Sequence, residues 1–147
     1  MDFDTKVKLK IYQMVARETV MPAASEVAAQ LSVPAGEVQA AFKRLYRKRL
    51  LVPEPGDETR IRMAPPFSGV ATPFRVEVSA KSYYANCVWD AFGVPAALHA
   101  DATIHASDGF TGEPLLLQVK DGKPGQRDWV AHFAVPAAQW WRDIIYT

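Results

Sequence analysis

The apolar residues change period near residue 50, and that change limits the chain to helices followed by sheet. Before it, Val7, Ile11, Met14 and Val15 recur at helical spacing, which predicts a helix over about 4–18 that Met21-Pro22 stops. Ser25 to Leu31 is a short second helix, with Val27, Ala28 and Leu31 facing inward. Ser32-Val33-Pro34 turns the chain into a third helix, with Val38, Ala41, Phe42 and Leu45 as its stripe. Pro34 suits the first turn, where its missing N–H costs little.

Beyond the change, Leu50-Leu51-Val52 and Arg60-Ile61-Arg62-Met63 read as strands joined by the turn Pro53 to Glu58. Three helices and a hairpin make residues 1–63 a winged helix-turn-helix module. Residues 64–147 then form a mixed β-sheet core with short helices, and the whole is α+β. The connector Ala64 to Thr72 packs across the core, and Phe74 to Val78 alternates with period two as a strand should. Ser79 to Ser82 turns into a strand end at Tyr83-Tyr84. Further strands are expected at Ala102 to Ala106, Leu115 to Val119 and Trp129 to Val135, with a last one begun at Ile144 to Thr147. Pro136 to Trp141 is one helical turn or two.

The third helix carries Lys43, Arg44, Arg47, Lys48 and Arg49. Such a face suits DNA phosphates, but a recognition helix reads bases from its N-terminal end. That end holds Ala35, Gly36, Glu37 and Gln39, so a solvated scaffold face is the preferred reading and DNA the lesser partner. A net charge of +1 points the same way. No apolar run approaches the ~20 residues of a membrane span, and Met1 to Lys6 has no signal-peptide character. With one cysteine no internal disulfide forms, which fits a reducing cytoplasm.

That cysteine lies in Tyr83-Tyr84-Ala85-Asn86-Cys87-Val88-Trp89-Asp90-Ala91-Phe92. Asn86 is a good N-cap, which puts Cys87 in the first turn of a helix and Asp90 on the same face. The helix should end near Phe92, with Gly93 after it and Pro95 beyond. A helix N-terminus lowers a thiol pKa, and a neighbouring carboxylate opposes that. Together Cys87 and Asp90 make a soft-metal ligand with a proton carrier beside it; a buried inert cysteine is the alternative. Tyr84, Trp89 and Phe92 are candidates to wall an apolar pocket, with core packing as the alternative. His99, His105 and His132 show no metal-motif spacing, and Trp129, Trp140 and Trp141 read as core or a helix-to-sheet seam.

Several stretches occur together in one order: Pro65-Pro66-Phe67-Ser68-Gly69-Val70, Thr72-Pro73-Phe74-Arg75-Val76 and Tyr84 to Asp90. Gly93-Val94-Pro95-Ala96, Gly112-Glu113-Pro114, His132 to Pro136 and Trp140-Trp141 continue it. From about Pro65 onward the chain resembles the organomercurial (alkylmercury) lyase family. The most specific part is Cys-x-x-Asp in its aromatic setting. The resemblance implies protonolysis of a carbon–mercury bond, giving a hydrocarbon and Hg(II). It implies that Cys87 binds mercury and that Asp90, beside the metal, handles the proton. It further implies no organic cofactor, free thiols as mercury acceptors, a small organomercurial as partner, and a structural role for a helical N-terminal region. A non-enzymatic winged-helix regulator sensing a thiophilic metal or small molecule at Cys87 is the competing reading.

In one respect the sequence departs from the family. A second cysteine shares the work there and would follow Thr147 directly; another, near Asp108, is replaced by Asp108 itself. A shortened chain, a natural loss of activity, and a UGA codon decoded as selenocysteine each account for the ending.

Overall fold

The computed structural model describes residues 1–125 and 128–146. Helices α1 (Phe3–Glu18), α2 (Ala24–Leu31) and α3 (Ala35–Arg47) come first. Asp2 caps α1 by accepting from the Thr5 N–H at 3.1 Å. Strands β1 (Val52–Glu54), β2 (Asp57–Ala64) and β3 (Phe67–Ser68) form one antiparallel sheet in that order. The remaining strands are β4 (Arg75–Val78), β5 (Lys81–Tyr84), β6 (Ala102–Ser107), β7 (Pro114–Lys120) and β8 (Lys123–Pro124). They form a second sheet in the order β5-β4-β6-β7-β8. Helix α4 (Val88–Leu98) joins β5 to β6, and a 3₁₀ helix covers Ala137–Arg142.

The α+β architecture is as expected, but the sheet is not mixed: every pairing among the described residues is antiparallel. The crossover through α4 does return a parallel strand. It lands one place away, because β4 lies between β5 and β6 and pairs with both. Period-two alternation is legible in sequence, whereas the neighbour of each strand is set by tertiary contacts.

Four local expectations need correction. Leu50 and Leu51 precede β1, which starts at Val52. The turn before β5 is shorter than expected and uses Ser79 at φ +54°. Trp129 to Val135 is not a strand; this stretch is irregular and largely exposed. Ile144 to Tyr146 is turn rather than strand, and Thr147 lies outside the described residues. Among the described residues neither stretch pairs with a strand, and an isolated strand leaves its backbone groups unmet.

One apolar cluster runs from α1 through α3 into the second sheet and α4. Val7, Ile11, Phe42 and Leu45 meet it from the helices, and Val76, Ile104, Ala91 and Val94 from the other side. Aromatic contacts stitch the seam: Tyr12 edges onto Phe67 at 6.2 Å, and Phe67 onto Tyr83 at 5.5 Å. The Tyr83 hydroxyl donates to Ala16 O at 2.7 Å, and that of Tyr12 to Pro65 O at 2.8 Å. Among the described residues no helix is long and apolar enough to cross a membrane.

Candidate active site

The chain leaves β5 at Tyr84, and Ala85 makes an isolated bridge to Phe67. Cys87, not Asn86, is then the N-cap of α4, with extended backbone at φ −153° and its carbonyl accepting from the Ala91 N–H at 2.9 Å. Asn86 is drawn off because its side chain serves the site. Its amide donates to Asp90 Oδ2 at 2.8 Å and to Phe67 O at 3.4 Å, while its Oδ1 is buried with no partner among the described residues.

Nor does α4 end near Phe92; it continues through Gly93 and Pro95 to Leu98, with His99 as the left-handed cap. Gly93 is there for proximity rather than termination. A Cβ on it would lie 2.9 Å from Pro66 Cβ. Ala91, Val94 and Pro95 are buried, so packing against the sheet holds the helix past two poor helix formers.

Cys87 is half-buried and Asp90 partly so. Burial pushes the Cys87 thiol pKa up. The backbone N–H of Asp90 opposes this, the Asp90 carboxylate adds to it, and the Trp89 N–H again opposes it. Sγ makes no capping hydrogen bond, so these N–H groups act on it as dipoles only. Burial also raises the Asp90 pKa, and the Asn86 amide opposes that shift. The result is a protonated thiol beside a carboxyl that holds its proton more tightly than a free one. Tyr12 feels the same carboxylate: burial first, then the Asp90 charge, push its phenol up to about 12.

Cys87 and Asp90 open into one cavity of about 270 Å³. Met63, Pro65, Asn86, Trp89, Trp140, Trp141, Ile144, Ile145 and Tyr146 complete its lining. Of the residues proposed from sequence to wall a pocket, Trp89 lines this cavity and is 67% exposed. Phe92 instead stacks on Trp129 at 5.4 Å and faces a neighbouring apolar hollow that Trp89 also borders. Tyr84, 38% exposed at the end of β5, is not among the lining residues. Sequence reasoning missed Met63, and it placed Trp140 and Trp141 in a seam rather than at the site. Nothing in a one-dimensional pattern marks Met63, which β2 brings to the cavity from 24 residues upstream of Cys87.

Among the described residues no group of three or more His, Cys, Asp or Glu side chains is placed to hold a metal ion. The cavity thus offers one thiol, the thioether of Met63, one oxygen acid and an apolar wall. This set suits a soft, monovalent organometal cation better than a resident metal. Three of the bases at the end of α3 pair with acids while staying part-exposed: Arg44 and Lys48 meet Asp4 at 2.8 and 3.1 Å, and Lys43 meets Glu58 at 3.5 Å.

The family model for alkylmercury lyase, MerB, matches residues 67–147. A solved structure described as the mercury-bound form of MerB2 superposes with a TM-score of 0.58 at 22% identity. The match covers 83% of this chain and 66% of that one, so this chain spans just under two thirds of that protein's length, and the likeness speaks for the fold. No curated protein matches the sequence.

Proposed function

As this chain belongs to the alkylmercury lyase family, we propose that it cleaves carbon–mercury bonds by protonolysis, with Cys87 as the mercury ligand and Asp90 as the proton donor to carbon. The observation that carries this reading is the shared cavity, in which a thiol and a carboxyl face an apolar wall wide enough for an organic group. An engineered cavity of roughly 150 Å³ holds benzene, so about 270 Å³ accommodates a phenyl ring with its metal.

An organomercury cation, R–Hg⁺, arrives as its thiolate complex R–Hg–SR′. The Cys87 sulfur replaces R′S⁻ on mercury, and the thiol proton leaves with it or passes to an ionised Asp90. Asp90 in its acid form then donates a proton to the carbon, the carbon–mercury electron pair becomes the new C–H bond, and RH departs. Mercury stays on Cys87 as Hg(II), opposite an ionised Asp90. Cys87 supplies one sulfur, and a small thiol supplies another and then carries Hg(II) away. That demand suits a reducing compartment such as the cytoplasm. The raised Asp90 pKa keeps the acid available, and the Asn86 amide receives the carboxylate once the proton has gone.

In the same reading, residues 1–63 are a winged helix-turn-helix module serving as scaffold and 64–147 are the lyase core. The acidic partners of Arg44, Lys48 and Lys43 support a role for the basic face in the fold rather than on DNA.

The test is headspace detection of benzene from a phenylmercury salt with excess thiol. The intact chain should release benzene at a rate that rises with thiol concentration. Cys87→Ser should neither release benzene nor form a mercury adduct by mass spectrometry. Asp90→Asn should form the adduct but release benzene about 10²–10⁴-fold more slowly, the usual worth of a positioned acid. A stable adduct with no benzene from the intact chain would refute the lyase reading and favour a mercury sensor.

A further inference from the structure

Helix α3 ends on a left-handed residue that is not glycine. Lys48 caps it and Arg49 follows at φ +57°. The Arg49 N–H donates to Tyr46 O at 2.9 Å, and the Leu50 N–H to Leu45 O at 3.0 Å. These two bonds close a helix in the Schellman manner, and the residue at Arg49's position is usually glycine, because a Cβ there crowds the backbone.

The chain places a long cation at this crowded point. The Arg49 guanidinium lies 5.7 Å from the ring centroid of Trp141. Trp141 in turn lines the cavity that holds Cys87 and Asp90. The 3₁₀ helix carrying Trp141 has no buried residue, so core packing does little to fix it. Contacts at its rim must do that instead. Non-glycine residues held at positive φ persist where the surroundings require them, and they gather at functional sites. The other α-helices also end on left-handed residues that are not glycine, Thr19, Ser32 and His99, so what sets Arg49 apart is what its side chain touches.

We propose that Arg49 is a positioning residue for the active site: from the end of α3 it holds Trp141 in place as a wall of the Cys87 cavity. This rests on reading that cavity as the organomercurial site. It gives the helical N-terminal half a direct part in shaping the pocket, through a side chain that touches neither Cys87 nor Asp90. An indole left without its cation would sample positions away from the cavity, which would loosen the hold on the organic group and open a path to the thiol. The proton transfer itself would be little affected.

The test compares the 147-residue chain with Arg49→Gly, Arg49→Lys, Trp141→Leu and the Arg49→Gly/Trp141→Leu double variant. Three quantities are read: the melting temperature, the rate at which a neutral aromatic disulfide labels Cys87, and kcat and KM for phenylmercury. Arg49→Gly should melt higher, because glycine suits the position, yet label about two- to fivefold faster, the change that an exposed cation–π contact sustains. KM should rise by a similar factor with kcat nearly constant. Arg49→Lys, which keeps the charge but not the flat guanidinium, should fall between. In the Trp141→Leu background Arg49→Gly should add nothing to the labelling rate. A labelling rate in Arg49→Gly equal to that of the parent would overturn the proposal and leave Arg49 as a helix end only. The labelling rate does not depend on catalysis, so absence of benzene from every variant would sink the lyase reading while still judging Arg49.

Discussion

Replacing Gly93 with alanine sets two known effects against each other. In a helix interior alanine is favoured over glycine by about 1 kcal/mol. Here, however, the new methyl would sit 2.9 Å from Pro66 Cβ. Carbon atoms pack comfortably at roughly 3.5–4.0 Å, so α4 must retreat by about half an ångström or the proline must yield. The proline ring is stiff, and the Tyr12 hydroxyl bond to Pro65 O pins its neighbour. Overpacking of this kind costs about 1–3 kcal/mol. The net expectation is a loss of about 0–2 kcal/mol, or up to roughly 8 °C in melting temperature at 2–4 °C per kcal/mol for a chain of this size. The shift matters more for the site than for the fold, because Cys87 and Asp90 ride on the displaced helix while Pro65, which also lines the cavity, does not. A misplacement of 1 Å can slow catalysis about 10²-fold, so half that distance should slow benzene release about tenfold. The assay is a thermal melt paired with phenylmercury turnover. A melting temperature 2–4 °C higher with turnover unchanged would show that helix propensity governs and that the Pro66 contact does not hold α4.

Asp90→Asn should stabilise the fold at pH 8 and not at pH 4. Burial raises the Asp90 pKa, so the stability linked to its proton is present below the unfolded value of about 3.9 and is lost as pH rises through the higher folded value; urea midpoints at the two pH values check this, and an equal gain at both would contradict it. Asp4→Ala should lose about 1 kcal/mol, because Arg44 and Lys48 both bond this buried carboxylate yet are themselves largely solvated; the loss should shrink in 1 M salt, and a loss that salt leaves untouched would assign it to packing.

Much of the first half was legible because apolar spacing there is local. Val7, Ile11 and Leu45 announce their helices without help from distant residues, and all three lie in the core. Cys87 and Asp90 were legible as neighbours because they stand three residues apart across the start of a helix, although Cys87 is the N-cap of α4 and not in its first turn. The helix around them was not: Gly93 and Pro95 look like a stop, and only the proximity of Pro66 and burial against the sheet explain why α4 runs on. Trp129 to Val135 has the composition of a strand but pairs with none among the described residues, a fact no local window contains. The cavity was least legible, because its walls come from β2, the connector after it, α4 and the 3₁₀ segment at once.

The half-buried, protonated thiol of Cys87 has a consequence for durability. Peroxides and hard electrophiles attack thiolates, and exposure speeds them. A sulfur whose proton is held more firmly than usual resists such damage while at rest. A mercurial meets no such protection, because it forms a bond strong enough to displace the proton. The site is thereby armed by its own substrate, and hydrogen peroxide should oxidise Cys87 in the folded protein more slowly than the same residue in the unfolded chain. Faster oxidation in the folded state, read by mass spectrometry of the sulfinic acid, would mean that the thiolate is already present before mercury arrives.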